Sequence, residues 1–469
     1  MSLHDLAIRE TEALRPILRS ESPALVADLA SLIRIPSVSW PGFDQASVEA
    51  SAAAVAELFR KTNLFESVQV LRTTGAPAVV ARRPARNGAP TVVLYAHHDV
   101  QPTGEDDLWE SPPYEPTVRR GRLYGRGSAD DKAGIVVHLG AVRALTQLYG
   151  DNLDLGIVVF VEGEEENGSP SFSTFLDAYQ EELSGDIIIV ADSDNPSSWE
   201  PAITVSLRGN VTAVLTIETL DHAVHSGMFG GAVPDALMAF VQVASSFYHP
   251  DGSLAISGLE GLSSGNQNES LRIGDEAGLL EGVREIGQGS VPDRLWRSAA
   301  LTITGVDAPS VKNASNTLVP RVSAKLSLRV PPGMSAAQAK GALEKHLERM
   351  VPLGAHWRLS EVSMGEPFLV DESAEALSLA AQALEASFGH APRFQGVGGS
   401  IPFIAQLAER FPDADILVTG VEDPDTRAHS PNESLDLRVL WRAALAESVF
   451  LSLLNRRSST ASVDDSVLE

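Results

Sequence analysis

Between residues 91 and 191 the chain alternates short apolar runs with stretches of helical periodicity, and this alternation limits what it can fold into. TVVLYA (91–96), the apolar run 154–161 and DIIIVA (186–191) read as strands, while 134–148 and 171–183 carry apolar residues at helical spacing. Strands without polar alternation are buried on both faces, and strand–helix–strand order sets them parallel. The expected fold class is therefore α/β, with a mixed, largely parallel sheet flanked by helices. Helices are also expected at 23–35 and 48–58, and a strand at 78–81. From residue 203 the texture changes. ITVSLRGNVTAVLTIETL and VSAKLSLRV (322–330) alternate polar and apolar residues with period two, as strands with one wet face do. Residues 336–350 read as an amphipathic helix. The expectation is an inserted α+β domain over 207–369, after which a helix at 374–388, a strand at 415–419 and a helix at 437–454 complete the first domain, 1–206 and 370–469. The tail RRSSTASVDDSVLE is polar and is expected to fray.

Five widely separated residues, His97, Asp130, Glu166, Asp192 and His429, each lie in a short Gly-, Asp- or Glu-rich segment, with Glu165 beside them as a candidate base. Imidazole and carboxylate donors of this mix suit zinc, manganese or cobalt, and two such ions about 3.5–4 Å apart share a water and lower its pKa toward neutrality. A metallohydrolase is implied. Composition narrows the alternatives. The chain has no cysteine, which excludes disulfides, thiolate metal sites and a cysteine nucleophile. Its 36 basic and 62 acidic residues give a net charge of -26, which disfavours nucleic acid as a partner. No segment reaches 18 uninterrupted apolar residues, and MSLHDLAIRETEALRPIL lacks the basic-then-apolar layout of a signal peptide, so the cytoplasm is the expected address and no membrane partner is expected. At 469 residues the chain is long enough for two cores.

Each segment also has a plain structural reading. In TVVLYAHHDVQP the strand runs into His97-His98-Asp99, where alternation sets His97 and Asp99 on one face and His98 on the other. Asp99 can then fix the ring of a metal-bound His97; alone, the same pattern is a satisfied turn, and His98 reads as structural. LYGRGSADDKAG opens a helix after Asp130-Asp131, where capping by an aspartate is the ordinary explanation, and it lacks the glycine spacing of a nucleotide loop. The run Glu162, Glu164, Glu165, Glu166 concentrates charge that costs Coulomb energy unless cations neutralise it. In DIIIVADSDN either Asp192 or Asp194 could ligate. His225 in DHAVHSGMFGG is ordinarily a structural loop histidine. Ser400 in GVGGSIPFI stands in a Gly-rich turn suited to a carboxylate but without a Gly-x-Ser-x-Gly elbow, which disfavours a serine nucleophile.

Taken in order, AHHDVQP, YGRGSADDKAG, EGEEENGS, the turn at Asp192, HSGMFGG, GGSIP and AHSPNE, with LIRIPSVS (32–39) and VPRVSAKLSLRVPPG (319–333), resemble the M20 family of metallopeptidases, in its dipeptidase, carnosinase-like branch. The resemblance implies a zinc-peptidase-like catalytic domain with an inserted lid domain that forms a homodimer. It implies that His97 and Asp192 hold one divalent ion, Glu166 and His429 the other, and Asp130 bridges them, with zinc as the metal and manganese or cobalt as alternatives. Asp192 is preferred to Asp194 by its spacing to Leu207-Arg208-Gly209. By the same resemblance Asp99 orients His97, Glu165 is the general base, and His225 reaches the partner's site to polarise the scissile carbonyl. Asn316 makes a second contact across the dimer, and Arg329 and Ser400 hold the substrate carboxylate. Two departures bear on substrate choice: His98 stands where many relatives have Tyr, and ADSDN replaces an Asp-x-Gly-Asn turn. A small peptide is the expected substrate. Deacylation of an N-acyl amino acid, of the desuccinylase or deacetylase type, uses the same chemistry, and a catalytically silent binding protein is the reading outside enzymes.

Overall fold

Ser2 caps the first helix by a reciprocal pair of bonds with Asp5, and Leu3–Ile33 then runs unbroken through Pro16 and Pro23. Charged and apolar residues alternate at helical spacing in residues 1–18 and a helix is expected over 23–35; the structure joins the two stretches, although two prolines each remove a helical hydrogen bond. The helix holds because Ala7, Leu14, Leu18, Leu25, Leu29 and Leu32 form one buried stripe along it. This computed structural model describes residues 2–259, 261, 273–399 and 402–465.

The chain divides into two units, Met1–Val205 with Val370–Phe394 and Gln406–Glu469, and Ser206–Leu369 with Gln395–Ala405. The first is built on a mixed sheet whose strands lie in the order Ser67–Leu71, Ala78–Arg83, Gly156–Glu162, Thr91–His97, Ile187–Val190, Asp415–Val418, Ala202–Leu207. The central four are mutually parallel. The flanking pairings are antiparallel. Gly156–Glu162 is buried at every position, as expected of a strand covered on both faces. Helices Leu3–Ile33, Lys132–Tyr149, Glu375–Phe388 and Leu437–Asp465 pack against one another in this unit. Two further elements differ from the expected bounds. The helix expected at 171–183 spans only Phe172–Ala178, since beyond Tyr179 the polar Gln180, Glu181 and Glu182 extend no apolar face. The last helix continues to Asp465, past the expected end at 454, there being no glycine or proline to stop it.

The second unit holds an antiparallel sheet in the order Ala300–Asp307, Arg321–Val330, Gly209–Glu218, His356–Gly365. Alternation along Arg321–Val330 turns Val322, Ala324, Leu326, Leu328 and Val330 into a core shared with helices Ala236–Ser246 and Ala336–Met350. Among the described residues no helix is long and apolar enough to cross a membrane.

Candidate metal centre

All four parallel strands of the first unit end at the same edge, and each delivers a titratable side chain there. Thr91–His97 ends on His97, Gly156–Glu162 leads into the turn of Glu165–Asn167, Ile187–Val190 into Asp192, and Asp415–Val418 into the loop that carries His429. This is where open α/β sheets place their ligands, because the strand ends leave backbone and loops free to converge. Gly420 lets that last loop pass the Asp192 turn, since a Cβ there would collide with the Ser193 backbone. His429 adopts a left-handed backbone with φ 60°.

Asp130 lies at the middle of the set. Its Oδ1 is 3.2 Å from His97 Nε2, and its Oδ2 is 2.9 Å from His429 Nε2. Asp192 Oδ2 lies 4.0 Å from His97 Nε2, and Glu166 Oε2 lies 3.3 Å from His429 Nε2. The two acids of LYGRGSADDKAG separate here: Asp131 caps the helix Lys132–Tyr149 through Gly134 N at 3.1 Å and accepts from His97 N at 3.1 Å, while Asp130 faces the histidines. Asp131 also falls within reach of His97 and Asp192 as a donor group, but both of its oxygens already hold backbone N–H groups. Asp192, not the exposed Asp194, lies beside His97.

The acidic run divides in the same way. Glu162 accepts from Tyr95 Oη at 2.6 Å, and Glu164 accepts from Ala76 N and Ser171 N. Glu165 and Glu166 turn to the centre instead. Asp99 holds that turn, accepting from Glu165 N at 3.2 Å, Glu166 N at 3.1 Å and Ser39 Oγ at 2.7 Å, with Oδ1 3.3 Å from His97 Nδ1. His98 faces the other way, toward the Pro77 carbonyl, and burial lowers its imidazole to about 4.

The electrostatics show a site short of positive charge. Burial pushes Glu165 well above the usual carboxylate range, with Asp192 and Glu166 adding to the rise. Burial also raises Glu166 to about 7 and Asp192 to about 6, with Asp130 contributing to both. Bonds to Asp130 and Glu166 raise His429 to about 11. Burial pulls His97 down, but Asp130 and Asp99 more than reverse it. His97 Nε2 is buried without a hydrogen bond. A buried imidazole nitrogen with no hydrogen bond, surrounded by carboxylates that resist ionising, suits divalent cations, which would remove both penalties at once.

Several supporting residues lie inside quoted motifs yet escaped the sequence reading, because their role depends on contacts between distant segments. Glu433, four residues after His429, is fully buried against Arg126 Nη1 at 2.6 Å and accepts from Gly127 N, Ala129 N and Asp130 N. It thus fastens the Asp130 loop to the His429 turn. Gln101 donates through Nε2 to Glu166 Oε2 at 2.7 Å. The remaining predicted residues belong to the second unit. His225 is exposed, its Nδ1 accepting from Gly227 N at 3.1 Å, and the adjacent Ser226 N donates to Asn316 O at 2.9 Å, so His225 and Asn316 are neighbours. Arg329 lies on Arg321–Val330, half-buried. Ser400 lies outside the described residues.

The sequence profile of peptidase family M20/M25/M40 matches residues 93–452. The chain is 33% identical over 382 residues to a cysteinylglycine-S-conjugate dipeptidase of Corynebacterium striatum, covering 80% of this chain and 84% of that protein. It is 26% identical over 399 residues to the Beta-Ala-His dipeptidase of Mus musculus, with 81% of each covered. Among solved structures, the dipeptidase Dug1p of Saccharomyces cerevisiae superposes with a TM-score of 0.71 at 22% identity, over 97% of this chain and 99% of that one. Human carnosine dipeptidase 1 gives 0.68 at 23%, over 95% and 100%.

Proposed function

Because the chain belongs to peptidase family M20/M25/M40, and is a dipeptidase-like metallohydrolase of that family, we propose that it hydrolyses dipeptides or similar small amides at a binuclear centre. The observation that carries this reading is the bridging attitude of Asp130, one oxygen toward His97 and the other toward His429. His97 and Asp192 would hold one ion, Glu166 and His429 the other, and Asp130 both. The donor set of imidazole and carboxylate fits zinc, with manganese or cobalt as alternatives. When bound, such a pair supplies an acidified water and a Lewis acid for the scissile carbonyl.

Glu165 takes a proton from the attacking water and passes it to the leaving amine as the C–N bond breaks. Its burial beside Asp192 and Glu166 keeps its proton affinity high, which suits a group that must accept and then release. Asp99 keeps His97 in one tautomer and, through Glu165 N, fixes the base itself. His225 would polarise the carbonyl from a partner subunit, with Asn316 beside it, while Arg329 and Ser400 would take the substrate carboxylate. A homodimer through the second unit accords with the exposed Met228, Phe229, Leu237, Met238 and Val241 that follow His225.

A substrate panel tests the reaction. Purified protein supplied with zinc or manganese is expected to cleave cysteinylglycine or β-alanylhistidine and to leave N-acetyl and N-succinyl amino acids untouched. Cleavage confined to the N-acyl substrates would reassign it as a deacylase, and bound metal with no amide hydrolysis at all would reassign it as a binding protein.

A further inference from the structure

Residues 101–110 run between the two side chains assigned above to one ion, Glu166 and His429. At the near end Gln101 holds Glu166 by three bonds: its backbone N donates to Oε1 at 3.1 Å, and its Nε2 donates to Oε2 at 2.7 Å and to the Glu166 carbonyl at 3.2 Å. Both carboxylate oxygens are thereby fixed in direction. At the far end Asn432, three residues after His429, accepts from Glu110 N at 2.8 Å and donates to Leu108 O at 2.9 Å. Between these grips the segment closes on the buried Trp109, whose Nε1 donates to Thr103 O at 2.9 Å. The Arg126 guanidinium lies over that ring, 5.6 Å from its centroid, and donates to Pro102 O at 3.3 Å. Gly104 through Leu108 are exposed.

The turn that carries His429 needs such a grip. Arg427, His429 and Asn432 have φ of 58°, 60° and 65°, a left-handed backbone that an arginine or a histidine adopts only where its surroundings hold it. Glu433 holds the turn from within, and Asn432 ties it to the segment outside. His97 is supported differently: it ends a strand of the sheet, its backbone N donates to Asp131 Oδ2, and its ring faces Asp99. Asp192 likewise follows directly on the strand Ile187–Val190. We infer that residues 101–110 form a strap that governs one ion of the pair, the one assigned to Glu166 and His429, with Gln101 and Asn432 as its positioning residues. The inference rests on the ligand assignment made above. Removing the outer partner of a metal ligand typically costs about 10–100-fold in affinity, and here that cost falls on a single ion. By linkage, the same ion holds the two grips together and so orders the exposed part of the strap.

The test titrates cobalt(II) into metal-free protein against a competing chelator, for the wild type, Gln101→Leu and Asn432→Gly. Leucine fills the space of glutamine without its donors, and glycine accepts the left-handed backbone while deleting both bonds of Asn432. Each variant is expected to bind one ion as the wild type does and the other about 10–100-fold more weakly. Diffraction at the cobalt edge from partly loaded Gln101→Leu crystals is expected to keep the peak beside His97 and Asp192 and to lose the one beside Glu166 and His429. A measurement on the wild type needs no variant to fold: amide hydrogen exchange across 103–110 is expected to slow with one equivalent of metal and not with the other. Equal weakening of both ions, unchanged binding of both, loss of the ion beside His97 instead, or exchange across 103–110 that ignores metal would each overturn the proposal. Uptake of a single ion by the wild type would overturn it together with the binuclear centre. Failure to cleave any dipeptide would remove the reaction assigned above while leaving these titrations to decide the strap.

Discussion

Asp99 acts on two parts of the centre with one carboxylate. It faces His97 Nδ1 at 3.3 Å, and it accepts from the backbone of both Glu165 and Glu166, so the imidazole, the base and a carboxylate ligand share one anchor. Among the described residues, Glu165, held by that anchor through its backbone, is absent from the donor groups around His97, which gives it a role separable from metal binding. Glu165→Gln should retain the metal content of the wild type and lose about 10²–10⁴-fold in kcat, the usual cost of removing a general base. Parallel elemental analysis and steady-state kinetics would check this. Loss of metal together with activity would make Glu165 a ligand instead, and near-full activity would remove it from the chemistry.

Among the elements, the helix Lys132–Tyr149 is tied to the sheet and to the last helix by charge as well as packing. His138, fully buried, lies 2.9 Å from both oxygens of Glu447 and 3.0 Å from the Tyr95 carbonyl, two residues before His97. Burial lowers the His138 pKa, but Glu447 outweighs it and the net shift is upward. A raised folded-state pKa stabilises the fold fully below the unfolded value of about 6.5, and that stabilisation is lost as pH rises through the folded value. Denaturant unfolding of wild type and His138→Gln should therefore differ most at pH 6 and progressively less above it; a gap that is constant or widens with pH would contradict this. The sequence carries much of this architecture. Continuous apolar runs such as 154–161 mark buried strands, and acids or histidines just after them mark the active edge. What it conceals are pairings across hundreds of residues: His138 with Glu447, and Glu433 with the Asp130 loop. Nothing local to Glu433 separates it from a solvated loop acid. The continuous helix Leu3–Ile33 was legible in two pieces, the helical spacing of residues 1–18 and the periodicity from Pro23, and the buried leucine stripe joins them across the prolines.

For the whole molecule, the proposal joins a metal-bearing unit to a second unit whose His225 acts in a partner. Light scattering of the full chain should give the mass of two chains. Mixing Glu165→Gln with His225→Ala protein should then restore part of the activity, because a hybrid dimer assembles one site with both residues intact; a monomeric mass, or no rescue after subunit exchange, would argue against action across subunits. Everything else depends on the binuclear centre itself. Anomalous diffraction at the zinc edge, from crystals grown with the metal, tests it most directly. Two peaks about 3.5–4 Å apart, one beside His97 and Asp192, the other beside Glu166 and His429, with Asp130 between them, are expected. A single peak, or peaks bound away from Asp130, would contradict the account.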